Sequence, residues 1–345
     1  MCPTVPPMAR FNPKARLDTS RMQEAGGGGG GGGMGGGLPG LPGGGGGGGI
    51  GLPHIGGGLG LVIAIAYILF QVFSGGGGGS LGIPGQSSLS SARMGAAQGT
   101  SADYSQCKTG DDANNSVDCA LVSVENSLYS YWSNQQSLAQ QVQFKPENKV
   151  VTFEGQVTTR GCGTATTDVG PFYCSGDGNI YLDEAFYSTV ASQLGIDANG
   201  PTSFVRAYVI AHEYGHHIQD LLGTINQVRT QKGPDSDSVR LELQADCYAG
   251  MWANSAVNTK DADGNTFYSE ITDQDIKDAI TAAGEVGDDY IQKRMGGGVD
   301  QSQFTHGSSK QRMAWFQAGY QDSSADIGVC DTFHAQNLDD PTSIG

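Results

Sequence analysis

From Ala25 to Ala92 the chain carries no Asp, Glu, Lys or Arg, and this stretch holds long unbroken glycine runs, among them residues 26–33 and 43–49. Glycine has no side chain to bury and loses the most backbone entropy on ordering, so such runs cannot form a core. They read as flexible linker. The foldable part of the 345-residue chain therefore begins near Asp103. Residues 103–345 suffice for one domain with a sizeable core.

Inside the uncharged stretch, residues 55–73 read IGGGLGLVIAIAYILFQVF. That is about the length of apolar chain that spans a bilayer as a helix. Arg10, Lys14, Arg16 and Arg21 precede it, and the first basic residue after it is Arg93. The basic side stays inside, so the expected topology is a single-pass cell-membrane protein, N-terminus in and C-terminal domain outside. A cleaved signal peptide fits less well, because its n-region would exceed 50 residues and no Ala-x-Ala site follows Phe73. The expected organisation is a disordered cytoplasmic tail at 1–54, an anchor helix at 55–74, a linker at 75–102 and a folded domain at 103–345.

Acidic residues number 35 against 19 basic, a formal charge of −16. An acidic surface excludes nucleic acid as a partner, since phosphate binding needs a basic face. It also argues against peripheral docking on anionic lipid. Of seven cysteines, Cys2 stands alone and six follow the apolar stretch. An even set beyond a membrane segment points to disulfides in an oxidising compartment. Short loops favour Cys107–Cys119 and Cys162–Cys174, which leaves Cys247–Cys330. There is no Cys-x-x-Cys pair for a thiolate metal site.

In the folded part, helical spacing appears at 117–141, 183–194, 203–222, 238–254, 272–283 and 309–320. Residues 150–157 and 179–182 read as strands. The fold class is α+β: a mainly helical domain with a small sheet before the helix at 203–222.

That helix contains His212-Glu213-Tyr214-Gly215-His216. Histidines four apart share one helix face and can aim two imidazoles at one ion. Glu213 sits one step round, unable to complete the same tetrahedron but able to reach water on the metal and serve as general base. A third protein ligand is required if the fourth position is to stay open. The next helix offers Glu242 and Asp246, again four apart, among Leu241, Leu243, Ala245, Tyr248 and Trp252. Carboxylates in so apolar a helix need a cationic partner. Either one can bind the ion, and the other then accepts a hydrogen bond from a ligand histidine. Two imidazoles and one carboxylate suit a single zinc ion.

At these residues, HEYGHH followed by a helix with ELQADCYAG, the chain resembles the bacterial neutral zinc metallopeptidases, a family of membrane-anchored proteins. It is also similar to the wider gluzincins whose third ligand lies on an E-x-x-x-D helix. Cys162-Gly163, Gly170 to Cys174, Ile180 to Asp183, Glu285 to Asp289 and Phe304 to Arg312 look like further segments of that family. The resemblance implies a zincin-like fold, a peptide or protein substrate, Glu242 as third ligand and Asp246 as its supporting carboxylate. It also implies a histidine at the turn before the last helix, here His306, which can steady a developing oxyanion. A helix-capping turn is the plainer reading of that residue.

Arg312 can pair with Asp246 or Glu242, or lie on the surface. His217 points about 100° away from His216 and reads as packing. Residues 179–182 are a candidate edge strand for an extended substrate. Asp261, Asp263 and Asn265 hint at a calcium loop, but Thr266 and Thr272 stand where Gly and Glu are needed, so the segment reads as a turn. His54 and His334 have no evident partners. The leading expectation is a zinc endopeptidase. A non-catalytic metal-containing envelope module and a zinc hydrolase of a non-peptide bond are the alternatives. Glu213 discriminates against the module, which has no use for a base beside the metal.

Overall fold

The structure, a computed structural model, describes residues 9–25, 103–166, 169–187, 200–294 and 296–344. The expected anchor at 55–74 and linker at 75–102 lie outside the described residues. Among the described residues no helix is long and apolar enough to cross a membrane.

The domain is mixed α and β, with helices at its centre. Six helices are labelled here: α1 (Val117–Ser133), α2 (Phe204–Leu222), α3 (Asp237–Ser255), α4 (Asp273–Glu285), α5 (Asp288–Arg294) and α6 (Ser309–Gln321). The strands are β1 (Arg10–Phe11), β2 (Met22–Glu24), β3 (Val150–Phe153), β4 (Gln156–Thr158), β5 (Thr164–Thr166), β6 (Phe172–Cys174), β7 (Asn179–Asp183) and β8 (Tyr268–Glu270). The main sheet has the order β2-β3-β7-β6, with β2, β3 and β7 parallel and β6 antiparallel to β7. The candidate substrate strand at 179–182 is therefore an inner strand, and the edge on that side is β6. The expected strand at 150–157 is two, because Gly155 takes φ +75 between β3 and β4. The helix expected over 117–141 stops at Ser133, where the Asn134 backbone bonds back to Trp132 and Tyr131. Of the helix expected at 183–194, Asp183 closes β7, residues 184–187 are helical, and the rest lies outside the described residues.

The tail expected to be disordered over 1–54 is corrected for residues 9–25. These cross the domain as two short strands, β1 antiparallel to β8 and β2 parallel to β3. Ala9, Phe11, Ala15 and Met22 are buried. The sequence alternates too briefly there to be read as strands; tertiary pairing decides the conformation.

The core packs α2, α3 and α6 together. Trp132, Trp252 and Trp315 are all fully buried, and Phe204 stacks on Trp252 with centroids 5.8 Å apart. The α3–α6 crossing is close because it is built on glycine. A Cβ on Gly250 would stand 2.1 Å from the Phe316 carbonyl, and one on Gly319 would stand 2.0 Å from that of Cys247. Capping boxes open α4 at Thr272 and Asp275 and α6 at Ser308 and Gln311.

All three expected disulfides form, at Cys107–Cys119, Cys162–Cys174 and Cys247–Cys330. The last joins α3 to the C-terminal segment across a separation of 83 residues. By chain-entropy arithmetic a loop of that size stabilises the folded state by about 4–5 kcal/mol. Replacing Cys247 and Cys330 together with serine should cost more stability in denaturant titration than losing either 12-residue bridge. A smaller loss than for Cys107→Ser/Cys119→Ser would contradict that ranking.

Candidate metal centre

The histidine-bearing helix starts after Ser203 and ends at Gly223, whose φ of +74 closes it in the left-handed region that favours glycine. His212 and His216 lie on adjacent turns of α2, with ring centroids 4.8 Å apart. Helix α3, capped by Ser236, packs against that face. The approach depends on Gly215: a Cβ there would meet Ala245 Cα and O at 3.0 Å. The glycine inside the HEYGH segment thus brings the Glu242 carboxylate within reach of both imidazoles.

Glu242 Oε2 stands 3.2 Å from His212 Nε2, and its Oε1 stands 3.5 Å from His216 Nε2. His212, His216 and Glu242 are the group of potential ligands that can converge on one ion among the described residues, their atoms all within 4.8 Å of one another. Zinc bonds of about 2.0–2.1 Å set tetrahedral ligand–ligand edges of about 3.3 Å. These two separations, one to each Glu242 oxygen, lie near that edge, and two imidazoles with one carboxylate are a donor set that fits zinc. The choice left open between two carboxylates is settled geometrically: Glu242 faces both Nε2 atoms, and Asp246 sits behind His212.

Asp246 Oδ1 is 2.9 Å from His212 Nδ1 and accepts from Tyr208 Oη at 2.7 Å. Arg312 donates Nε to Oδ2 at 2.8 Å and Nη2 to Oδ1 at 2.9 Å. Arg312 is thus buried against Asp246, with Glu242 Oε2 4.0 Å away. With Nδ1 donating to Asp246, His212 presents the bare lone pair of Nε2 to the metal position. His216 is set the same way: its Nδ1 lies 2.8 Å from Gln219 Oε1. Gln219 in turn donates to Leu241 O at 2.7 Å and Gln244 Oε1 at 3.1 Å.

The electrostatics call for a cation. Burial favours a neutral imidazole, yet Asp246 and Glu242 outweigh it and raise His212 to about 10. Burial pushes the Glu242 carboxyl up, but His216 and His212 more than offset this and hold it well below the usual range. Burial likewise opposes ionised Asp246, and Arg312 and His212 keep it ionised.

The Glu213 side chain, on a residue buried at 8% exposure, enters no hydrogen bond or ion pair among the described residues. His306 lies in the turn before α6. Its Nδ1 is 2.8 Å from Thr305 Oγ1 and 3.4 Å from Asp288 Oδ1. Asp288 Oδ2 accepts the backbone N–H groups of Thr305, His306 and Gly307 at 2.7–3.0 Å. Burial disfavours charge on His306, but Asp288 and Glu242 prevail and raise its pKa. Its Nε2 is buried without a partner. A buried ring nitrogen without a hydrogen-bond partner is uncommon in a folded protein.

The remaining expectations fall into place. His217 bonds Lys145 O at 2.8 Å and is a packing residue. Asp261 accepts backbone N–H groups from Arg16, Asp263 and Asn265 and makes a turn. His334 is exposed beside Asp331, and His54 lies outside the described residues. Sequence reasoning missed Tyr208, Gln219 and Asp288 as supporting residues. The first two carry a legible signal, since they stand four before His212 and three after His216 on the same helix. Asp288 lies in the Glu285 to Asp289 segment that carries the resemblance, but nothing local pairs it with His306, which a turn brings to it.

Fold and site together place an HExxH helix against a carboxylate from the following helix, a group that could hold a metal ion. The family described as "Putative neutral zinc metallopeptidase" matches residues 16–333, and the chain belongs to it. Uncharacterized protein Rv2575 of Mycobacterium tuberculosis strain H37Rv is 43% identical over 238 residues, 68% of this chain and 77% of the relative. Uncharacterized protein Mb2605 of Mycobacterium bovis aligns to the same extent. Uncharacterized protein YpfJ of Escherichia coli K12 is 40% identical over 191 residues, 54% of this chain and 61% of the relative. No solved structure matches the chain.

Proposed function

We propose that this chain is a zinc-dependent endopeptidase acting on the oxidising, extracytoplasmic side of the membrane. The observation that carries the reading is the convergence of His212, His216 and Glu242, their ligand atoms within 4.8 Å of one another, with Glu213 next to His212 on the same helix. His212, His216 and Glu242 would hold the zinc ion, which when bound would supply Lewis acidity and make water a better acid, toward a pKa of about 7.

The chain's own residues do the rest. Glu213 takes the proton from the attacking water and delivers it to the departing amine. Asp246 and Gln219 keep the two imidazoles in the ligand tautomer. His306, aimed by Asp288, donates Nε2–H toward the carbonyl oxygen as negative charge builds on it. Three disulfides support the oxidising compartment.

The test is metal analysis of the purified chain with hydrolysis of an unfolded protein such as casein. One zinc per chain is expected, with hydrolysis lost on chelation and restored by zinc. A zinc-loaded chain that binds peptides and cleaves none would favour the non-catalytic module. His306→Ala should keep its zinc and lose about 10²–10³-fold in kcat, the range for one oxyanion donor. A KM effect alone would assign His306 to binding instead.

A further inference from the structure

The N-terminal segment is stitched into the domain along its whole described length. The Ala9 backbone donates to Asp275 at 3.0 Å, and Phe11 packs on Tyr268 with centroids 4.7 Å apart. Ala15 and Gly110 bond through their backbones at 2.9 Å, and β2 runs in parallel register beside β3. Arg21 makes the deepest contact. Its guanidinium donates to both oxygens of Glu125 at 2.5 and 3.2 Å and approaches Glu147 at 3.6 Å, while lying 4.1 Å over the Tyr129 ring. Glu125 and Glu147 are 0% and 2% exposed. Burial and Glu125 already hold Glu147 well above the usual carboxylate range, and Glu147 lies against Tyr214, the residue after Glu213 on α2. Without Arg21 two adjacent carboxylates would stay buried under the metal helix with their cation gone.

A segment bound this way cannot stand across a bilayer from the rest of the fold. We propose that residues 9–25 and residues 103–344 occupy the same face of any membrane the chain meets. A chain that leaves one face and returns to it crosses an even number of times. Two helical crossings need about 40 apolar residues, and between Ala25 and Asp103 the sequence holds one apolar stretch of half that length. A single inside-to-outside crossing at 55–74, as expected from the basic residues, would put residues 9–25 and 103–344 on opposite faces, so this proposal and that expectation are alternatives. The disulfides make the shared face the oxidising one. On this reading the peptidase fold includes residues 9–25, which supply β1 and β2 to its sheets.

The proposal is tested with the full chain carrying one epitope tag at each end, expressed in intact cells. Protease is added from outside, before and after permeabilisation. Cys2, the one cysteine outside the three disulfides, is labelled in parallel with a membrane-impermeant maleimide. Both tags should become accessible together, with Cys2 labelled under the same condition. A C-terminal tag digested in intact cells while the N-terminal tag and Cys2 are reached only after permeabilisation would overturn it. These outcomes read topology alone, so they stand or fall separately from peptidase activity.

Discussion

Glu213→Gln is expected to bind one zinc ion as tightly as the parent chain, melt at the same temperature, and lose peptide hydrolysis by about 10²–10⁴-fold. Each part follows from where the side chain sits. The substitution conserves volume, so the packing between α2 and its neighbours is kept. Glu213 has no hydrogen bond or ion pair among the described residues, so no buried partner is stranded. The trio facing the metal consists of His212, His216 and Glu242, and the amide replaces none of them. What disappears is a proton acceptor beside the metal position. The measurement is zinc per chain, a thermal melt and kcat on one peptide substrate, with Glu242→Gln alongside. The latter should lose zinc first and activity as a consequence. A Glu213→Gln chain that retains near-parental kcat would show that another group takes the proton and would remove Glu213 from the mechanism.

The contrast between these two glutamates shows what the sequence could disclose. The i, i+4 histidines and the intervening Glu213 are local facts of helix geometry, and they are legible without a fold. Glu242 and Asp246 were equally legible as a pair, but periodicity could not rank them. The ranking depends on the α2–α3 contact at Gly215 and Ala245, a tertiary distance. Arg312 shows the same limit more sharply. An arginine on a helix of ordinary polarity gives no sign of burial, and only the glycine-tight crossing of α3 and α6 carries it to Asp246. Residues 9–25 failed for another reason. Four basic residues beside a glycine run look like a tail, and the partners that make them strands lie more than 100 positions away. Local pattern fixes helices and their faces; long-range pairing is set by surfaces that only the folded chain brings together.

Removing the Arg312 guanidinium should produce the largest loss of stability of any single change near the site. Arg312 is 4% exposed and Asp246 0% exposed, and the pair is doubly hydrogen-bonded. Arg312→Ala leaves Asp246 ionised in the core with only Tyr208 and His212 as donors, a situation that costs about 3–5 kcal/mol. Cavity formation adds to this, because the arginine is 4% exposed and its stem is removed along with its charge. Zinc affinity should fall as well, by about 10–100-fold, since Asp246 holds the His212 ring and loses its own anchor. The two effects come apart in a double variant. Arg312→Met/Asp246→Leu removes both charges and should recover much of the stability lost in Arg312→Ala, because no uncompensated charge remains. It should not recover zinc affinity, because His212 Nδ1 then has no acceptor to fix its tautomer. Denaturant unfolding of the zinc-free proteins reads the first quantity and competitive zinc titration the second. If the double variant bound zinc like the parent, Asp246 would be a stabilising partner of Arg312 only, and the orientation of His212 would have to come from the packing of its helix.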